Sequence, residues 1–160
     1  MAISSKLSPS AERELVMVRT FNAPRKLVFE VWTDPKHLDA WWGPKGFTNV
    51  TKEMDVRPGG VWRYMMHGPD GVDYPNRITF IEVVKPEKLL FTHGDDIDND
   101  PNAFTTTVIF REIGRDKTEI TMTQVFNTKE QRDMLVEQFG AIEAGKQTMD
   151  KLVQYLAKLV

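Results

Sequence analysis

The 160-residue chain has no cysteine, which removes disulfides, thiolate nucleophiles and cysteine-ligated zinc or iron–sulfur centres together. Its only serines, Ser4, Ser5, Ser8 and Ser10, lie in the first ten residues, so a folded body that begins after them holds neither a serine nor a cysteine nucleophile. Histidine is scarce as well: His37, His67 and His93 stand far apart and form no i, i+4 metal pair. Charge of one sign is also missing. The 21 Lys and Arg against 23 Asp and Glu leave a net charge of -2, whereas a nucleic-acid binder carries a basic excess on one face. No apolar run approaches the roughly 20 residues that cross a bilayer, and residues 1–11 hold no apolar stretch resembling a signal peptide. These absences predict a soluble, unprocessed, cytoplasmic protein with no nucleic-acid partner, no membrane span, no metal and no cofactor.

What is present is a β-rich body closed by one long helix. A chain of this length suits one domain, and buries about 70% of the surface that its unfolded form exposes. Residues 1–11 read as a flexible lead-in and 12–160 as the domain. Glu14 to Phe21 alternate as a strand, Pro24 opens a helix carrying Leu27, Val28, Val31 and Trp32, and Asp34 with Pro35 starts a second short helix ending at Gly43 and Pro44. Runs rich in Val, Ile, Thr, Phe and Tyr predict strands near 47–56, 60–67, 73–84, 88–94, 103–113 and 117–126. The turns at Gly68-Pro69-Asp70-Gly71 and Gly114-Arg115-Asp116 make them sequential hairpins, hence an antiparallel meander. Thr128 and Gln131 have capping-box spacing. After Gly140, the residues Ile142, Gly145, Met149, Leu152, Leu156 and Leu159 form one apolar helical stripe. The expected class is therefore α+β, with the last helix covering an antiparallel sheet.

Two segments carry a resemblance: Trp41-Trp42-Gly43-Pro44, and Asp55-Val56-Arg57-Pro58-Gly59-Gly60-Val61-Trp62-Arg63-Tyr64. With the Gly68-Pro69-Asp70-Gly71 turn and Leu152-Val153-Gln154-Tyr155-Leu156, they resemble the START-like (SRPBCC) superfamily over roughly residues 13–158. The similar branch is that of the C-terminal domain of the activator of the heat-shock-protein-ninety ATPase. The resemblance implies a helix-grip fold: a curved seven-stranded antiparallel sheet around the C-terminal helix, two small helices at one end, and often a cavity between sheet and helix. It also implies three open readings of function. These are a binder of an apolar small molecule, a chaperone-linked protein-interaction module, and a cavity enzyme of cyclase, hydrolase or isomerase type. Many members carry Gly-Trp where this chain has Ala144-Gly145, so bulk is missing from the helix stripe. Either an aromatic such as Trp62 fills that space or a ligand does.

Strand parity names the candidate lining: Trp62, Tyr64 and Met66; Leu89, Phe91 and His93; Val108 and Phe110; Ile120, Met122 and Gln124. Of these Trp62, Tyr64, Met66, Phe91, His93, Phe110, Met122 and Gln124, with Gly145 and Met149 from the helix, form the expected ligand-binding set. Trp41 and Trp42 complete the set: one ring is expected to plug the cavity mouth and the other to cover the sheet edge, and in the functional alternative the pair gates the pocket. His93 and Gln124 are the expected polar groups in an apolar space, the usual form of a small-molecule site. No catalytic residue is assigned, because no acid–base pair stands at a characteristic spacing. Asp96, Asp98 and Asp100 match the start of an EF-hand loop, but the glycine and glutamate positions hold Pro101 and Thr107, so a solvated acidic loop is expected. The expected assembly is a monomer or homodimer.

Overall fold

The alternating and helical patterns become seven strands and four α-helices in the computed structural model, which describes residues 10–160. The strands are β1 (Glu14–Phe21), β2 (Thr48–Met54), β3 (Val61–His67), β4 (Asp73–Val84), β5 (Lys88–Asp95), β6 (Phe104–Gly114) and β7 (Lys117–Val125). The helices are α1 (Arg25–Thr33), α2 (Pro35–Trp41), α3 (Lys129–Glu137) and α4 (Ala141–Leu159). Expected and observed strand limits agree within two residues. Residues 1–9 of the expected lead-in lie outside the described residues. Ser10–Arg13 form a 3-10 turn directly ahead of β1. Arg13 anchors that turn, since Phe126 N donates to its carbonyl at 2.8 Å and its own Nη1 donates to Phe126 O at 3.0 Å.

The strands form one antiparallel sheet in the order β1-β7-β6-β5-β4-β3-β2. The β2–β7 meander pairs sequential neighbours, and β1 closes the far edge by pairing with β7. Register slips in β2 (Thr51/Glu53), β4 (Phe80/Glu82) and β6 (Glu112/Gly114) bend the strands, as bulges do. Gly60 is needed just before β3, because a Cβ there would run into Asp55 O. Local capping follows the sequence closely. Asp34 accepts from Lys36 N at 2.9 Å, and Thr128 Oγ1 accepts from Gln131 N at 3.0 Å. The reciprocal Gln131 side chain accepts from Asn127 N at 2.8 Å instead of from the cap residue itself.

Helix α4 buries Met149, Leu152 and Leu156 against the sheet. The stripe is shorter than its sequence pattern, since Ile142 and Leu159 at its two ends are exposed. The core beside α1 and α2 is aromatic. Trp32, Trp41 and Trp42 meet edge to face at 5.1–5.6 Å, and Trp62 stacks on Tyr64 at 4.1 Å. On the outer face, Asp96 is clamped by Arg63 and Arg77 at 2.9 Å, which holds its carboxyl below the usual range. The acidic loop therefore spends its best-buried carboxylate on an arginine clamp.

Candidate functional site

Between the concave face and α4 lies a cavity of about 240 Å³. Its floor comes from inward positions of four strands: Met66 on β3, Phe91 and His93 on β5, Phe104 and Thr106 on β6, and Met122 and Gln124 on β7, continued by Phe126. Its roof is Ala141, Ala144, Gly145, Thr148 and Met149 of α4, with Leu135 of α3 at one end. Trp32, Trp42, Gly43 and Pro44 close the other end. No Lys, Arg, Asp or Glu is part of this lining.

The roof explains why space exists at all. Ala141, Ala144, Gly145 and Thr148 recur at three- and four-residue steps, so one helix face carries only small side chains where the sheet curves beneath it. The small side chains at Ala141, Ala144 and Thr148 are as legible in the sequence as the missing bulk at Gly145. The rim turns at Gly43, where φ is +97° and a Cβ would press on Met66 Cε at 3.2 Å. A glycine is required there. Half-buried Lys151 holds the same loop to α4, its Nζ donating to Phe47 O at 3.3 Å, and burial lowers its pKa.

Of the twelve expected lining residues, the structure brings Trp42, Met66, Phe91, His93, Met122, Gln124, Gly145 and Met149 to this cavity. Trp62, Tyr64 and Phe110 face inward as parity predicts, but they and helix residue Trp41 are packed into the core behind the cavity. Trp41 is corrected most sharply. It is fully buried and its indole N–H donates to Val31 O at 3.0 Å, so it caps the end of α1 and does not close a mouth. Trp62 and Tyr64 stack on each other at the α1/α2 end, where Trp42 covers them. Phe110 is taken up by edge contacts with Phe29 and Trp32. The space beside Gly145 is also filled differently, since the terminal methyl of Met17 from β1 sits where a Cβ would fall. Met17 thereby separates the main cavity from a second space of about 240 Å³ that shares Met122, Gln124 and Ala141 with it. Ten of the lining residues lie outside the expected set, among them Trp32, Phe104, Thr106 and Phe126. Stepping back by twos from Val108 along β6 reaches Thr106 and Phe104, so that signal was available.

The polar groups form a short relay. Trp42 Nε1 donates to Tyr64 Oη at 2.9 Å, and Tyr64 Oη and Asn76 Oδ1 each lie 3.0 Å from His93 Nε2. The Asn76 amide nitrogen donates to Tyr74 O at 2.9 Å, which turns Oδ1 toward the imidazole. Oδ1 can only accept, so the proton is assigned to Nε2 and His93 Nδ1 is left as an acceptor. Burial lowers the His93 pKa to about 4, and pushes the Tyr64 phenol well above its usual range. Both groups are therefore neutral at pH 7, and neither is an activated base. His67, by contrast, pairs with Asp73 at 2.7 Å away from the cavity.

The low His93 pKa has a stability consequence. The unfolded imidazole takes up a proton below about 6.5 while the native one stays neutral to about pH 4, so stability falls as pH drops through that interval. Urea unfolding is expected to lose roughly 2 kcal/mol between pH 7 and 4 in the native protein, and to lose clearly less in His93→Gln. Equal losses would show that His93 is not the group responsible.

The sequence profile of the family described as Activator of Hsp90 ATPase homolog 1-like protein matches residues 22–157. The chain belongs to this family. The solved structures agree on the fold of this Activator of Hsp90 ATPase homolog 1-like chain. Protein Ms6760 from Mycobacterium smegmatis is 24% identical with a TM-score of 0.84, over 95% of this chain and 96% of that one. Protein NE0264 from Nitrosomonas europaea is 27% identical with a TM-score of 0.82, over 92% and 96%. An AHSA1 protein from Silicibacter pomeroyi is 21% identical with a TM-score of 0.74, over 92% and 99%. No curated protein matches the sequence significantly. The seven-stranded antiparallel sheet around a long C-terminal helix is thus the helix-grip α+β fold of the START-like relatives. Among the described residues, no helix is long and apolar enough to cross a membrane.

Proposed function

We propose that this protein binds an uncharged, largely apolar small molecule between the sheet and α4, without transforming it. One observation carries the reading: a cavity of about 240 Å³ with mainly apolar walls, no charged lining residue and a few placed polar groups. A cavity of about 150 Å³ holds benzene, so this one suits a ligand of about ten non-hydrogen atoms. Trp42, Met66, Phe91, Met122, Gly145 and Met149 would enclose its body, and His93 and Gln124 would meet its polar atoms. Catalysis is disfavoured by the neutral, hydrogen-bonded state of Tyr64 and His93. The lack of cysteine suits a reducing compartment, and cytoplasmic binding is part of the proposal. A role at the heat-shock-protein-ninety ATPase has only the family description behind it.

Native mass spectrometry of the protein purified from its own cells tests this reading and reports the subunit count in the same spectrum. A small-molecule adduct that is lost on denaturation is expected. A bare mass that stays bare after incubation with cell extract would contradict binding.

A further inference from the structure

The polar side chains of the cavity wall differ in what each still has to offer a bound molecule. Trp32 Nε1 and Thr106 Oγ1 are unpaired but have under 1 Å² of accessible surface each, so they are sealed inside the wall and meet nothing held between sheet and helix. Trp42 spends its only donor on Tyr64 Oη at 2.9 Å. On the roof, Thr148 Oγ1 gives its proton to Ala144 O at 2.9 Å, so toward anything else its oxygen can only accept.

His93 differs from all of these. Its Nε2 is held from the core side by Tyr64 Oη and Asn76 Oδ1, each at 3.0 Å, and its ring stands between Trp42 and Phe104, at centroid distances of 6.4 and 5.3 Å. With the Nε2 proton directed at Asn76 Oδ1, Nδ1 presents a lone pair. Nδ1 has no hydrogen-bond partner, yet it is not one of the sealed atoms, so it stays accessible on a half-buried residue that lines the cavity. Gln124 also makes no hydrogen bond with the described residues and is not sealed, but a primary amide donates and accepts alike and so does not discriminate. The open side-chain chemistry is thus weighted toward acceptors, in a cavity with aromatic walls.

We propose that the cavity selects a neutral phenol, whose O–H donates to His93 Nδ1 while its ring lies between the aromatic floor and the small-residue roof. A phenol brings the donor that the wall lacks, and a hydrocarbon of the same shape would strip water from Nδ1 and leave it unpaired. The His93 pKa of about 4 leaves the proton on the phenol, so no charge forms in a cavity that holds no cation to balance it. This selectivity rests on the reading of the cavity as a ligand site and adds the chemistry it recognises.

Three probes with one two-ring body test it: 2-naphthol, which can donate, 2-methoxynaphthalene, which can only accept, and 2-methylnaphthalene, which can do neither, each titrated by calorimetry into the intact protein. The naphthol is expected to bind about tenfold tighter than either of the others, the difference made by one buried acceptor satisfied or left unpaired. In His93→Phe that preference should disappear. Nitrogen NMR of histidine-labelled wild-type protein reads the contact directly, and decides alone if His93→Phe fails to fold. His93 Nδ1 should resonate as an unprotonated nitrogen, and move upfield with 2-naphthol but not with 2-methylnaphthalene. Equal affinities for 2-naphthol and either analogue, a preference that survives in His93→Phe, a protonated Nδ1, or an Nδ1 signal indifferent to bound 2-naphthol would each overturn phenol selection and leave the cavity-binder reading standing. If none of the three probes binds, both fall.

Discussion

Gly145→Trp is expected to abolish binding of an apolar two-ring probe such as 2-ethylnaphthalene, by about 100-fold or more, with the fold intact. The substitution places an indole in the roof of the cavity, where Ala141, Ala144 and Thr148 leave room for it and a ligand would otherwise sit. What it displaces first is the Met17 methyl, the far end of a flexible side chain, and methionine repacks at little cost. Glycine inside a helix is itself about 1 kcal/mol less favourable than alanine, so the helix loses nothing by the change. Melting within a few degrees of wild type together with lost binding is the expected pair of results. Unchanged affinity in a folded variant would mean that the ligand sits elsewhere.

Trp41→Ala is expected to destabilise the protein by about 3–5 kcal/mol, the range for removing a fully buried large aromatic side chain. The ring touches Trp32 and Trp42 at 5.1 and 5.5 Å, and its N–H satisfies the Val31 carbonyl near the end of α1. In a chain of this size, such a loss lowers the melting temperature by about 10 °C or more. Trp41→Phe separates the two contributions, keeping most of the packing while it orphans the carbonyl, and should lie between Trp41→Ala and wild type. A fall of less than about 3 °C for Trp41→Ala would be incompatible with a structural role for this ring.

These two residues also mark what is legible in a sequence of this kind. Period-two alternation identifies which side chains face inward, and it does so correctly for Trp62, Tyr64, Phe91, Phe110 and Met122. It says nothing of whether an inward side chain meets another element or a void, because that depends on where α1, α2 and α4 come to rest. Trp41, Trp62, Tyr64 and Phe110 meet the helices and one another, whereas Phe91, His93 and Met122 meet open space. Gly145 shows the same limit from the other side. Its missing bulk is visible in the sequence, but the chain segment that answers it, Met17, lies in β1, more than a hundred residues earlier. Thr106 is hidden for a different reason. It sits within the run Thr105-Thr106-Thr107, whose composition reads simply as strand, and only the pairing of β6 with β5 and β7 places it beside Gln124 and near His93.

The methionines provide the sharpest readout of whether the cavity between sheet and helix is a binding site. Met66, Met122 and Met149 line it and Met17 borders it, while Met54, Met65 and Met134 lie outside it. In a methyl NMR titration of methionine-labelled protein with 2-ethylnaphthalene, the signals of Met17, Met66, Met122 and Met149 are expected to shift together and saturably, and those of Met54, Met65 and Met134 to stay in place. Shifts confined to Met134 or Met65, or no saturable shift at any of the four cavity methyls, would contradict it.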